Sequence, residues 1–149
     1  MIERVRGDLL ACAAEAQVNA VNTAGVMGKG IAAQFKRRYP DNFAAYHAAC
    51  ERGALQIGEV LTFDRGALVP RYIINVPTKR HWRARSRLED VESGLVALVA
   101  EVQRLGVASL AVPALGCGAG GLAWAAVLPR IEASFAALPG LRVWVFEPG

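Results

Sequence analysis

Strand-like and helix-like segments take turns along almost the whole of this sequence, and that alternation restricts the chain to a small set of architectures. Residues 2–6 alternate as an edge strand does. Residues 16–21, closing at Asn22, and residues 58–63, 72–76, 109–114 and 141–146 are short, apolar and partly β-branched, the pattern of strands. Between them, residues 30–38, 40–51, 87–105 and 123–138 read as helices, with Pro40 in a favoured first-turn position. The helix over 87–105 is the clearest. Leu88, Val91, Leu95, Leu98, Val102 and Leu105 recur every three or four residues and so share one face. Ser86 with Glu89 reads as a capping box and Gly106 as the stop. Strands separated by helices favour parallel pairing. The prediction is therefore a three-layer α/β/α fold, with a mixed, mainly parallel central sheet and helices on both faces. No repeat, linker or low-complexity tract interrupts it, so residues 1–149 are expected to form one domain.

Composition narrows the function. A chain that is 54% hydrophobic and 20% charged is neither disordered nor fibrous. No apolar run approaches the roughly 20 residues a membrane helix needs, and the start lacks a signal-peptide core. A cytoplasmic monomer with no membrane partner is expected. Cys12, Cys50 and Cys117 are far apart and odd in number, and His47 and His81 have no acidic cluster beside them. Neither a disulfide framework nor a metal site is expected, and no cofactor. The net charge of +4 is unevenly placed: residues 79–87, KRHWRARSR, carry five cations and no acid, and Lys36, Arg37 and Arg38 form a second cluster. Such stripes favour phosphate-bearing partners.

Sheets of this class bind ligands beyond the carboxyl ends of their strands. Three unusual segments fall there. In residues 22–30, NTAGVMGKG, glycines allow close backbone approach and the following helix N-terminus favours an anion. It is not a Walker loop, because Gly30 follows Lys29. In residues 113–122, PALGCGAGGL, the string resembles a dinucleotide fingerprint only superficially, since no acidic residue ends a following strand. An amide nest around a diphosphate suits it better. In residues 76–83, VPTKRHWR, a lysine, a histidine and a tryptophan meet at the rim; Lys79 there either reacts or merely binds a phosphate.

These segments carry a resemblance. Arg6-Gly7-Asp8-Leu9-Leu10, Val18-Asn19-Ala20-Val21-Asn22 and PALGCGAGGL resemble the opening, the first loop strand and the second loop of macrodomains. More narrowly, NAVNTAGVMGKGIAAQFK, PTKRHWR and PALGCGAGGL resemble DarG-type antitoxin macrodomains, in the branch that includes terminal ADP-ribose glycohydrolases. The likeness spans nearly the whole chain and implies one macrodomain over residues 1–149, the N-terminal part of a longer antitoxin.

The resemblance also implies roles. Asp8 would hydrogen-bond the adenine amine, Leu9 would offer a backbone contact, and Phe146 would line the adenine pocket. Asn22, with Thr23 beside it, would hold the distal ribose. Gly28, Lys29, Gly30 and Ile31, with Thr78, Pro113, Leu115, Gly116, Cys117, Gly118, Ala119, Gly120, Gly121 and Leu122, would enclose the diphosphate and that ribose. Lys79 and Asn22 would be catalytic. Lysine can attack a sugar if its pKa falls, and Arg80, Arg83 and Lys29 are candidate agents of that fall. Two aspartates of other branches are missing: Met27-Gly28-Lys29-Gly30 fills the first place, and the second loop has none. Cleavage of protein ester links by those routes is not expected. The implied activity is removal of ADP-ribose from a base of single-stranded DNA, reversing a cognate ADP-ribosyltransferase toxin. Arg80, His81, Trp82, Arg83 and Arg85 have the composition that tracks a strand and stacks on a base. The alternatives are a non-catalytic ADP-ribose reader and an O-acetyl-ADP-ribose deacylase.

Overall fold

A computed structural model describes residues 1–149 throughout. In chain order it contains β1 (Ile2–Val5), a 3-10 turn (Leu9–Ala11), β2 (Ala16–Asn22), α1 (Gly30–Arg38), α2 (Pro40–Glu51), β3 (Leu61–Asp64), β4 (Tyr72–Lys79), α3 (Leu88–Leu105), β5 (Ser109–Val112), α4 (Trp124–Ala136) and β6 (Arg142–Phe146). One sheet runs β1-β6-β5-β2-β4-β3. Every pairing is parallel except β3 against β4, so the sheet is mixed and mainly parallel as expected.

Both faces are covered. Val91, Leu95 and Leu98 of α3 and Val127, Ile131 and Phe135 of α4 pack on Val18, Ile74, Leu110 and Val143. On the opposite face Phe35 of α1 meets Ile73, Ala111, Leu9 and Leu10, while Tyr46 and Ala49 of α2 meet Val21 and Met27. Neighbours such as Ile73 and Ile74 point to opposite faces, which is why the central strands read as apolar runs rather than alternating ones.

Several boundaries differ from the sequence expectation. β3 begins at Leu61 rather than residue 58, because Gly58 takes φ +85° in the preceding turn. β5 stops before Pro113. β4 continues past Val76 to Lys79, since β2 flanks it as far as an Asn22–Lys79 pair. Pro77 is tolerated there because β3 reaches only to Asn75, so the strand has an open side. The capping box is corrected. Arg87 is the residue before α3 and makes no side-chain cap bond. Ser86 is instead drawn beneath the second glycine-rich loop, donating its amide to Gly120 O at 3.0 Å, with its hydroxyl buried and unpartnered. Gly106 does end α3, in the left-handed conformation at φ +67°.

From β2 the chain moves outward to β4, then returns through α3 across β2 to β5. The loops leaving adjacent strands β2 and β5 therefore diverge, and a crevice opens between them.

Candidate active site

The five parallel strands end on one side of the sheet, and the segments beyond them enclose a cleft of about 950 Å³. That is near the upper end of the roughly 300–1,000 Å³ typical of small-molecule sites. Asp8, Leu9 and Phe146 line one part. Asn22, Gly28, Lys29, Gly30 and Ile31 come from the first glycine-rich loop, and Thr78, Lys79 and Trp82 from the end of β4. Pro113, Gly116, Cys117, Gly118, Ala119 and Gly120 complete the wall.

Some expected residues do not line it. Leu115 is wholly buried in the core, and Leu122 packs beside it. Thr23 uses its hydroxyl to donate to Arg80 O at 2.9 Å. Gly121, Arg80, His81, Arg83 and Arg85 stand outside the wall. Conversely, Val26, Gln34 and Glu147 line the cleft unannounced. Gln34 was discoverable, lying one helical turn beyond Gly30 and Ile31. Glu147 had no signal: it is held by ion pairs to Arg4 and Arg6, far away in sequence.

The first loop is organised by Asn22, which is 6% exposed. Its Oδ1 accepts from the amides of Ala24 at 3.0 Å and Val26 at 3.3 Å, and its Nδ2 donates to Val26 O at 2.8 Å. The Tyr46 hydroxyl lies 2.9 Å from the same Oδ1. Burial above all, then the neighbouring Cys50 thiol, pushes the Tyr46 phenol pKa up, so it remains a donor. Asn22 thus fixes the fold of its own loop at Ala24 and Val26, just ahead of Gly28–Ile31. At the start of α1 the first amides lack helical acceptors, and Lys29 supplies no side-chain cap, which leaves them free for an anion.

The second loop needs its glycines for different reasons. Gly116 takes φ +75°. A Cβ on Gly120 would lie 2.1 Å from Ser86 Oγ and 2.5 Å from Gly116 O. Leu122 donates to Gly116 O at 2.9 Å and Gly121 to Gly118 O at 3.1 Å, drawing the loop into a compact nest. Gly118 faces open space. Burial raises the Cys117 pKa, so this wall stays uncharged.

Lys79 projects from the last position of β4, with Nζ donating to Trp82 O at 3.0 Å. Neither Lys79 nor Lys29 has an ion-pair partner. Burial first, and then the charge of Lys29, holds the Lys79 pKa below that of an ordinary lysine. Of the three expected agents only Lys29 acts. Arg80 is turned away onto Asp90, with two bonds of 3.1 Å, and its charge is compensated there. Arg83 lies over the Trp82 ring at 4.4 Å, and His81 stacks on the same indole at 5.2 Å. Arg85 reaches back to Gly121 O at 3.4 Å, touching the second loop.

A model of the Macro domain family matches residues 18–131. A curated Thermus aquaticus protein named DNA ADP-ribosyl glycohydrolase is 57% identical over 99% of this chain and 41% of its own length. The solved macrodomain of Mycobacterium tuberculosis DarG superposes with a TM-score of 0.98 at 49% identity, covering 100% of this chain and 99% of that one. Thermosipho africanus DarTG, solved in complex with ADP-ribose, superposes with a TM-score of 0.91 at 34% identity, covering 99% of this chain and 41% of that one. The chain spans about two fifths of the length of such curated relatives.

Proposed function

The chain belongs to the macrodomain family, and on that premise we propose that it is a glycohydrolase that removes ADP-ribose from a base of single-stranded DNA. The observation that carries the reading is Lys79: an amine with a lowered pKa and no counter-ion, at the lip of a glycine-walled cleft, beside a basic aromatic rim. Asp8, Leu9 and Phe146 would take the adenine. The start of α1 and the nest at Gly116–Gly120 would hold the diphosphate, with Asn22 and Lys79 at the distal ribose. Relatives named DNA ADP-ribosyl glycohydrolase, and an ADP-ribose complex of a similar protein, support both ligand and reaction.

The chemistry follows from a neutral Lys79. Its nitrogen attacks C1″ of the distal ribose, and the bond from C1″ to the base breaks, leaving its electron pair on the base. The base takes up the proton that the amine gives up. The C1″–O4″ bond of the lysine–sugar adduct then breaks, its electron pair staying on O4″, which takes a proton from water, and a protonated Schiff base results. The hydroxide so formed adds at C1″, the C1″–N bond breaks as the nitrogen regains a proton from the new hydroxyl, and O4″ closes again on C1″ to release ADP-ribose. The proposed partner is an ADP-ribosyltransferase toxin whose DNA modification this activity reverses. A Thermosipho africanus relative is named as a fusion of a DNA ADP-ribosyl transferase with a glycohydrolase. A monomer suffices, because one chain supplies the whole cleft; the proposed location is the cytoplasm. The reader alternative draws on the Lys79–Trp82 bond, which would equally hold the amine as a phosphate donor. Incubation with ADP-ribosylated single-stranded DNA, beside a Lys79→Ala control, tests the activity.

Two further results are expected. The reactive form of Lys79 is neutral, so kcat/KM should rise with pH and level off below the range of an ordinary lysine, about 10.4. In Lys29→Met the rise should move upward only in part, since burial is the larger cause and remains. An unshifted profile in that variant would remove Lys29 from the account. Arg83→Ala should weaken the DNA substrate, flatten the logarithmic salt dependence by about 0.7 per lost phosphate contact, and spare free ADP-ribose. Arg85→Ala, through its hold on Gly121, should weaken free ADP-ribose as well. Calorimetry and kinetics from 50 to 300 mM salt (about that range) separate the two.

A further inference from the structure

Residue 17 lies at the centre of the sheet, in β2, between Ile73 of β4 and Ala111 of β5. Those neighbours, with Leu9, Leu10 and Phe35, form an apolar layer beneath α1. Residue 17 is nevertheless a glutamine, and it is completely buried. An aliphatic side chain would suit the layer better, because a buried amide is costly unless its hydrogen bonds are made.

Its bonds all go to one place. Nε2 lies 3.3 Å from Leu9 O, 3.2 Å from Leu10 O and 3.0 Å from Cys12 O. Oε1 has no partner, so the donors alone dictate how the amide sits. The three carbonyls belong to the 3-10 turn and its C-terminal cap, a piece of only three residues, Leu9–Ala11. A single short turn cannot hold its own geometry. Gln17 ties it to β2, one of the two central strands.

That turn lines the cleft from a part of the chain far from Lys79 in sequence. Asp8 caps it, its Oδ1 accepting from the Leu10 amide at 3.0 Å, and the other carboxylate oxygen makes no hydrogen bond. Both Asp8 and Leu9 line the cleft. Gln17 does not.

We propose that Gln17 is a positioning residue for base recognition, whose buried amide fixes the turn that offers Asp8 and Leu9 to the ligand's base and thereby sets the preference for adenine. The inference rests on the ADP-ribose reading above. A carboxylate fixed at that point accepts from the 6-amino group of adenine and repels the 6-oxo group of hypoxanthine. Discrimination of this kind depends on placement, whereas affinity for the ribose–diphosphate portion does not.

The test uses Gln17→Leu and Gln17→Met, apolar side chains of similar size that remove the donors and the orphan carbonyl together. They leave Leu10 O and Cys12 O without the Gln17 donor, so a modest fall in Tm should accompany the loss of that tie. Affinities for ADP-ribose and for its hypoxanthine analogue are measured by calorimetry, with Tm alongside. Wild-type protein is expected to favour ADP-ribose by at least about tenfold. Both variants should lose about that factor on ADP-ribose while holding the analogue within about twofold, in protein that the melt shows to be folded at the assay temperature. Adding Gln17→Leu to Asp8→Asn should cost nothing further, as for two residues acting through one contact. An unchanged preference in either variant overturns the proposal, as does an equal loss on both ligands. Wild-type protein that binds both equally also overturns it. Wild-type protein that binds neither instead overturns the functional reading beneath it.

Discussion

Lys79→Ala should lose most of the turnover on ADP-ribosylated DNA while keeping its affinity for free ADP-ribose within a few-fold. The expected loss is roughly the 10²–10⁴-fold that a positioned reacting side chain contributes. The reason lies in what Lys79 touches. Its amine makes one bond, to Trp82 O, and pairs with no carboxylate, so removing it leaves no buried partner stranded. The diphosphate has other donors, in the amides at the start of α1 and around Gly116–Gly120. Binding therefore survives, and only the step that needs a nucleophile at C1″ is lost. Lys79→Arg sharpens the result. It preserves the positive charge but cannot form a Schiff base, so it should be about as inactive as alanine. If Lys79 only grips a phosphate, affinity and rate should fall together in alanine and partly recover in arginine. Single-turnover rates and calorimetry on the same samples decide between these patterns. A Lys79→Ala protein that clears DNA at the wild-type rate removes the catalytic assignment.

Much of the architecture was readable because burial on both faces leaves a mark on composition. The stretch Tyr72–Val76, apolar but for Asn75, does not alternate because helices cover β4 on either side, and the stripe from Leu88 to Leu105 records one face of α3 against the sheet. What escaped the sequence depends on residues distant along the chain. The Ser-x-x-Glu spacing at Ser86 signals a cap, but the second loop claims Ser86 through Gly120, 34 residues on. Five cations in residues 79–87 look equivalent in order of sequence. Only the position of Asp90 on α3 reveals that Arg80 is already neutralised, whereas Arg83 remains over Trp82. Likewise the motif around Asn22 reads as a loop, and the chain does leave β2 there for α1, while the side chain's engagement with Ala24, Val26 and Tyr46 depends on α2. Gln17 is the extreme case, a polar residue in an apolar strand whose purpose is visible only once the turn at Leu9–Ala11 is in place.

Gly118→Glu should cost at least about a hundredfold in ADP-ribose affinity in a protein that still folds. The fold tolerates a side chain there: Gly118 is not in the left-handed region, and nothing lies within 4 Å of a Cβ placed on it. That open space is the cleft itself. A glutamate would enter the volume meant for the diphosphate and bring a negative charge toward it. Two unit charges about 5 Å apart at an effective dielectric constant near 20 repel by roughly 3 kcal/mol, more than two decades in affinity before any steric loss. Two companion variants separate charge from shape. Gly118→Ala fills little and carries no charge, so it should bind within a few-fold of wild type. Gly120→Ala has no room, since its Cβ would meet Ser86 Oγ at 2.1 Å and Gly116 O at 2.5 Å. The loop backbone must then move, and both Tm and affinity should fall. Calorimetry with ADP-ribose and thermal melts of all three proteins give the answer. A folded Gly118→Glu protein with wild-type affinity would show that the diphosphate lies elsewhere, and the assignment of the second loop would be withdrawn.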